Sequence, residues 1–292
     1  MTGVVADEAM TMTPCQRKAL EQLRAELSDK GILKKCHDDY YLGRFLTARN
    51  YDVSKSRHMF ESMLEWRERM QVDTLKTTAI TEQEKKTLKE LYPHFHHKTD
   101  KLGRPIYIEQ LGRLRLDQLL KITTIDQMVL YHVAECEALT DIKLPACSKK
   151  AGRRIGQSLT ILDLKGVNFK QMTSTAVRAF LRKIAIIDQD YYPEYLGNMV
   201  IINASSAFKT AYSMIRPWLD KRTQKKIEVV GSSYAPRLLE LADAESLPDF
   251  LGGTCRCEGG CQLSDAGPWK SCTTEPIQHC QLEVADGTTR YW

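Results

Sequence analysis

Ser158-Leu159-Thr160-Ile161-Leu162-Asp163-Leu164 reads as a β-strand that stops at Lys165-Gly166. Alternation places Ser158, Thr160 and Leu162 on one face and Asp163 on the other. Outward from it, helical spacing covers about 123–139 before it and 173–188 after it. Further strand candidates are Ile106 to Leu111, which follows a Gly103-Arg104-Pro105 turn, Met199 to Asn203, and Ile227 to Gly231. Strands that alternate with helices predict an α/β fold, a mainly parallel sheet with crossover helices.

The chain ahead of this pattern is all-helical. Leu20, Leu23 and Leu27 recur at helical spacing between Gln16 and Lys30. Asp38 and Asp39 can cap a second helix carrying Leu42, Phe45 and Leu46. Ser54 can cap a third, with Met59, Phe60, Met63, Leu64 and Trp66 on its apolar side, and a fourth helix is expected from about Thr81 to Leu91. The expected organisation is a disordered 1–14, a helical region 15–92, an α/β domain 93–253 and an irregular Cys-rich extension 254–292.

Composition narrows the function. The 292 residues are 42% hydrophobic and 27% charged, with a net charge of +5. That charge permits docking on an anionic membrane. It comes without a Lys/Arg stripe, so nucleic acid is not an expected partner. No apolar run approaches the roughly 20 residues a bilayer span needs, and no signal peptide is visible in Met1 to Pro14. Nine scattered cysteines predict reduced thiols in the cytosol. No glycine-rich phosphate loop follows a strand, and Gly231-Ser232-Ser233-Tyr234-Ala235 lacks the second glycine of a nucleophile elbow. The expectation is a protein that is not an enzyme and takes no cofactor.

A metal is not expected either. Cys255, Cys257 and Cys261 supply three sulfurs, but no clear fourth ligand emerges from Cys272, His279 and Cys280 downstream. His94, His96 and His97 cluster in sequence, yet an extended chain splits His97 from the other two.

One helix pattern stands out at Ala207 to Leu219. Phe208, Ala211, Tyr212, Ile215, Trp218 and Leu219 fall on one side, and Lys209, Thr210, Ser213 and Arg216 on the other. Pro217 should kink or end it. Periodicity alone favours a core-facing crossover helix over a movable lid.

An ordered set of motifs resembles the CRAL-TRIO lipid-transfer family. It begins with Phe45-Leu46-Thr47-Ala48-Arg49-Asn50-Tyr51-Asp52-Val53 and Trp66-Arg67, then His97-Lys98-Thr99-Asp100-Lys101-Leu102-Gly103-Arg104-Pro105-Ile106-Tyr107. Leu144-Pro145-Ala146-Cys147-Ser148, Asp163-Leu164-Lys165-Gly166, Tyr191-Tyr192-Pro193-Glu194 and Ile201-Ile202-Asn203-Ala204 follow, and Leu247-Pro248 through Phe250-Leu251-Gly252-Gly253 completes it. The set covers roughly residues 16–270, with the phosphatidylinositol/phosphatidylcholine exchange branch the nearest in kind.

The resemblance implies an apolar lipid cavity and makes Ala207 to Leu219 its gate helix. It implies an inositol head-group set of Arg49, Glu194, Thr223 and Lys226. It also implies a choline head-group set of Tyr107, Ser158 and Thr160, with His96 where a tyrosine is typical. Asn50 and Tyr195 stand where some relatives carry basic residues. The function implied is exchange of phosphatidylinositol, with phosphatidylcholine as second ligand, from the cytoplasm onto Golgi or endosomal membranes. A phosphoinositide kinase is the partner it implies. The alternative is a carrier of a sterol, tocopherol or retinoid.

Overall fold

The computed structural model describes residues 12–78, 82–167, 174–206, 208, 212–213, 216–270, 282–283 and 289–290. The chain forms two compact units. The first comprises residues 1–76, 188–194 and 275–292, and the second residues 77–187 and 195–274.

Three helices supply the core of the first unit: Pro14–Asp29, Asp39–Ala48 and Val53–Met70. The first opens on a Thr13/Gln16 capping box with a proline in its first turn. Asp38 caps the second, as the sequence suggests. The third departs from expectation. Asp52, not Ser54, is its cap, and its carboxylate accepts from the Lys55 amide at 3.0 Å. The helix therefore starts earlier and takes Ser54 into its first turn. The three helices bury Leu20, Leu23, Leu27, Leu42, Phe45, Leu46, Met59, Phe60 and Met63 in one cluster, the apolar faces that periodicity identifies. Trp66 stacks on Tyr191 with ring centroids 4.2 Å apart. A short antiparallel ladder, Leu282–Glu283 with Thr289–Arg290, interrupts an extension expected to be irregular.

The second unit is built on a five-stranded sheet in sequential order, β1 (His94–Thr99), β2 (Pro105–Gln110), β3 (Ser158–Asp163), β4 (Leu196–Ile202) and β5 (Ile227–Val229). β2 to β5 are parallel, and β1 is antiparallel at the edge. Periodicity alone did not mark β1, because its three histidines and a lysine carry no alternating apolar pattern. The helices Ile125–Ala138 and Thr175–Asp190 lie within two residues of the expected bounds, the first opened by a Thr124/Gln127 capping box.

Phe95, Ile106, Ile108, Leu159, Ile161, Val200 and Ile202 share one face of the sheet. They pack with Leu238, Ala242, Leu247 and Leu251 into the main core. The loop that closes this core needs Gly253, where a Cβ would come within 2.0 Å of the Leu247 carbonyl oxygen. Among the described residues, no helix is long and apolar enough to cross a membrane.

Candidate functional site

The face of the sheet opposite the core carries a row of polar and aromatic residues. His96 on β1 pairs in register with Tyr107 on β2, and Tyr107 pairs with Thr160 on β3. In-register residues on adjacent strands point to the same side, so these three form one lateral row. The rings of His96 and Tyr107 lie 5.0 Å apart at 53°. Ser158, two residues before Thr160, shares its face. The four residues matched to a choline head group thus fall together on one surface of the second unit. Ser158 has a local use as well, since its hydroxyl lies 3.5 Å from the Tyr195 carbonyl oxygen as a donor.

Helix Ile125–Ala138 lies over the β1 end of this surface. Glu135 places a carboxylate oxygen 3.8 Å from His96 Nδ1. Lys143, itself buried, sits 5.8 Å from the Trp269 ring, and Trp269 is edge-on to His96. Burial would raise the Glu135 carboxyl, but the Lys143 ammonium, followed by the nearby His96, Lys89 and His94, outweighs it and holds the group at about 2. Burial, reinforced by Lys143, pushes His96 well below its ordinary range, so its ring is neutral at pH 7. His94 falls to about 4, chiefly through burial. Glu135 and Lys143 escaped the sequence reading. Neither sits in a motif, and only the fold carries the helix and the turn after it over β1.

The segment expected to be a gate helix also belongs to this face. Phe208 is buried with Leu164 and Ile201, and Tyr212, like Leu162, Met199 and Ile227, packs against this cluster. Phe208 and Tyr212 stack at 5.6 Å. Ala211 and Ile215 lie outside the described residues. The segment ends, as Pro217 dictates, in a tight turn at Arg216–Trp218, which leaves Trp218 and Leu219 half-buried. Gln224 ties that turn down, donating to the carbonyls of Arg216 (3.1 Å) and Leu219 (2.9 Å) while accepting from Arg216 Nε (3.0 Å). Gln224 lies on helix Lys221–Lys226, which also bears Thr223 and Lys226. Asp220 caps this helix, and its carboxylate accepts from both the amide and the hydroxyl of Thr223.

The residues matched to an inositol head group divide between the units. Thr223 and Lys226 belong to the second and Arg49 and Glu194 to the first. Arg49 follows the last turn of its helix and faces Asp190 at 3.5 Å, both side chains partly exposed. An exposed pair at this distance is weak, so the guanidinium can change partner. Glu194 adopts a left-handed backbone (φ 62), and its carbonyl accepts from Arg44 at 2.7 Å. Asn50 is also left-handed (φ 52), a conformation asparagine tolerates where the helix turns back.

Asp163, at the end of β3, caps the loop that follows. Its Oδ1 accepts from the Lys165 amide (2.9 Å) and from Asn203 Nδ2 (2.7 Å). The cysteines depart in part from the all-thiol expectation. Cys15, Cys136, Cys147, Cys255, Cys257 and Cys261 are thiols, whereas Cys36 is disulfide-bonded. Cys272, His279 and Cys280 lie outside the described residues.

Comparison with known proteins gives this geometry its context. The chain is 44% identical over 254 residues to the Sec14 cytosolic factor of Schizosaccharomyces pombe, covering 87% of each protein. It is 42% identical over 257 residues to the phosphatidylinositol/phosphatidylcholine transfer protein SFH12 of Arabidopsis thaliana, covering 87% of this chain but 47% of that one. The chain thus spans about half the length of this plant relative. Among solved structures, the crystal structure of Sfh5 shares the fold, with a TM-score of 0.66 at 16% identity over 85% of this chain and 90% of that one. The CRAL/TRIO domain profile matches residues 89–253, and the chain belongs to that family.

Proposed function

We propose that this protein binds one phospholipid and carries it between membranes, with phosphatidylinositol as the first ligand and phosphatidylcholine as the exchange ligand. The observation that carries the reading is the row His96–Tyr107–Thr160, with Ser158 beside it, on the sheet face opposite the core. Aromatic faces suit a quaternary ammonium, and hydroxyls suit the phosphate next to it. A neutral His96 completes the aromatic side without adding a charge that would repel choline. SFH12, a close relative in sequence, is named for transfer of both lipids.

Arg49 and Lys226 are assigned to the inositol-lipid phosphate, and Glu194 and Thr223 to inositol hydroxyls, on the resemblance and on their chemistry. Phe208 and Tyr212 belong to the segment that opens to admit the acyl chains. Burying those chains offsets the cost of extraction by about 0.8 kcal/mol per methylene. No bond is made or broken. The protein works from the cytoplasm, rests transiently on Golgi or endosomal membranes, and presents inositol lipid to a phosphoinositide kinase.

The test is transfer of labelled phosphatidylinositol and phosphatidylcholine between two vesicle populations, with mass spectrometry of the lipid that co-purifies. Transfer of both, with phospholipid bound, is the expected result. Absence of both, with a sterol or another hydrophobe bound instead, would overturn the reading.

A further inference from the structure

The chain beyond Gly253 folds back on the edge of the sheet. The Cys255 amide donates to Leu247 (3.0 Å), the Asp249 amide donates to Cys255 (3.1 Å), and the Lys98 amide donates to Ala266 (2.6 Å). This return brings Cys255, Cys257 and Cys261 to His97 on β1. One ring nitrogen of His97 and the three sulfurs all lie within 4.8 Å of one another. Cys255 and Cys257 have their sulfurs 3.7 Å apart. Tetrahedral zinc with Zn–S of about 2.3 Å sets its sulfurs about 3.8 Å apart, whereas a disulfide needs about 2.0 Å. The separation fits shared ligation of a metal.

His97 supplies the second observation. Its side chain is fully buried, and Nε2 has no hydrogen-bond partner among the described residues. A buried orphan nitrogen is costly unless something occupies it. Nδ1 lies 3.5 Å from Ser264 Oγ. The Ser264 hydroxyl donates to the Cys261 carbonyl at 3.1 Å, so its oxygen is left to accept from Nδ1–H. That contact selects the tautomer whose Nε2 lone pair is available, as outer-shell partners of metal-bound histidines do. Between Cys257 and Cys261, Gly259 and Gly260 adopt φ of 71° and 92°, which reverses the chain and returns Cys261 to the other two cysteines.

We propose that His97, Cys255, Cys257 and Cys261 bind one zinc ion. Three thiolates and an imidazole favour zinc over hard cations. Four protein ligands leave no open position, so the site is structural and not catalytic. Its effect is to fasten residues 254–266 to β1, the strand that also presents His96. Sequence spacing could not find the site, because the fourth ligand comes from the far end of the α/β unit and not from the cysteines downstream. The proposal is independent of which lipid is carried.

The experiment uses the purified full-length chain under reducing conditions. Zinc is measured by elemental mass spectrometry, and cobalt(II) is titrated into metal-free protein. The expected result is one zinc per chain, and a cobalt spectrum with tetrahedral ligand-field and thiolate charge-transfer bands. Cys257→Ser and Cys261→Ser should each lose the metal, whereas Cys15→Ser, at an exposed position remote from the cluster in sequence, should keep it. Ser264→Ala, which leaves all four ligands in place and guards against mere unfolding, should weaken cobalt affinity roughly 10–100-fold. Failure of the wild type to bind either metal would overturn the proposal. So would retention of full stoichiometry by both cysteine variants, or a disulfide among Cys255, Cys257 and Cys261 in peptide maps.

Discussion

Tyr107 on β2 stands directly between His96 on β1 and Thr160 on β3, and its ring tilts against the His96 ring at 5.0 Å. A cation held against this pair would meet an aromatic face with hydroxyl oxygens beside it. Tyr107→Ala removes the ring that both neighbours frame. A cation–π contact contributes about 0.5–2 kcal/mol, so phosphatidylcholine transfer should fall from about twofold to thirtyfold. Phosphatidylinositol transfer should change little. Vesicle assays with each lipid check this, and equal loss of both would remove the choline assignment.

Arg49→Ala and Lys226→Ala should each reduce phosphatidylinositol transfer about tenfold or more, the scale of a lost charge-assisted hydrogen bond. Phosphatidylcholine transfer should be spared. Asp190→Asn offers an internal comparison. It removes the carboxylate that faces Arg49 at 3.5 Å and frees the guanidinium for phosphate. Inositol-lipid binding should hold or tighten in that variant, measured by competition against phosphatidylcholine.

Asp52, and not Ser54, caps helix Val53–Met70, so Asp52→Ala should lower the melting temperature more than Ser54→Ala does. The Asp52 carboxyl is held below its usual range, first by the hydrogen bond from the Lys55 amide. A depressed carboxyl stabilises the fold above its unfolded pKa and loses that contribution as pH falls. The gap between Asp52→Ala and wild type should therefore be full at pH 7 and close below about pH 4. Thermal melts at both pH values test it.

His94 is buried, with its pKa lowered to about 4 mainly by desolvation, and its Nδ1 donates to the Tyr92 carbonyl at 2.7 Å. Tyr107 and Tyr131 pack against it, Glu135 opposes its fall, and Lys89 and His132 add to it. An unfolded histidine takes a proton near pH 6.5, and the folded one resists until about 4. The folded state is thus favoured above pH 6.5 and loses stability as pH falls through this window. His94 alone accounts for about 3 kcal/mol of that loss. Urea unfolding at pH 7 and pH 5 should show the slope, and His94→Phe should flatten it.

The chain's own chemistry determined much of this protein. Helical spacing of Leu20, Leu23, Leu27, Phe45 and Phe60 and the alternation in Ser158–Asp163 depend on periods of 3.6 and 2, which are local properties. The three N-terminal helices, the helices Glu82–Leu91, Ile125–Ala138 and Thr175–Asp190, and strands β2 to β5 were legible for that reason, and so was the face that carries Ser158 and Thr160, whereas helices Leu144–Ala151 and Ala235–Leu241 were not. Strand β1 was not, because His94, His96 and His97 mask any apolar alternation; its place comes from pairing with β2. The cap at Asp52 was missed since two residues with capping side chains compete within three positions, and only the backbone geometry chooses between them. The tertiary structure alone decided the remainder. It set Glu135 and Lys143 around His96, made Asp163 a loop cap, and brought His97 to three cysteines distant in sequence. Register between strands and the return of a loop on a sheet edge come from packing of the whole unit, and no local pattern encodes them.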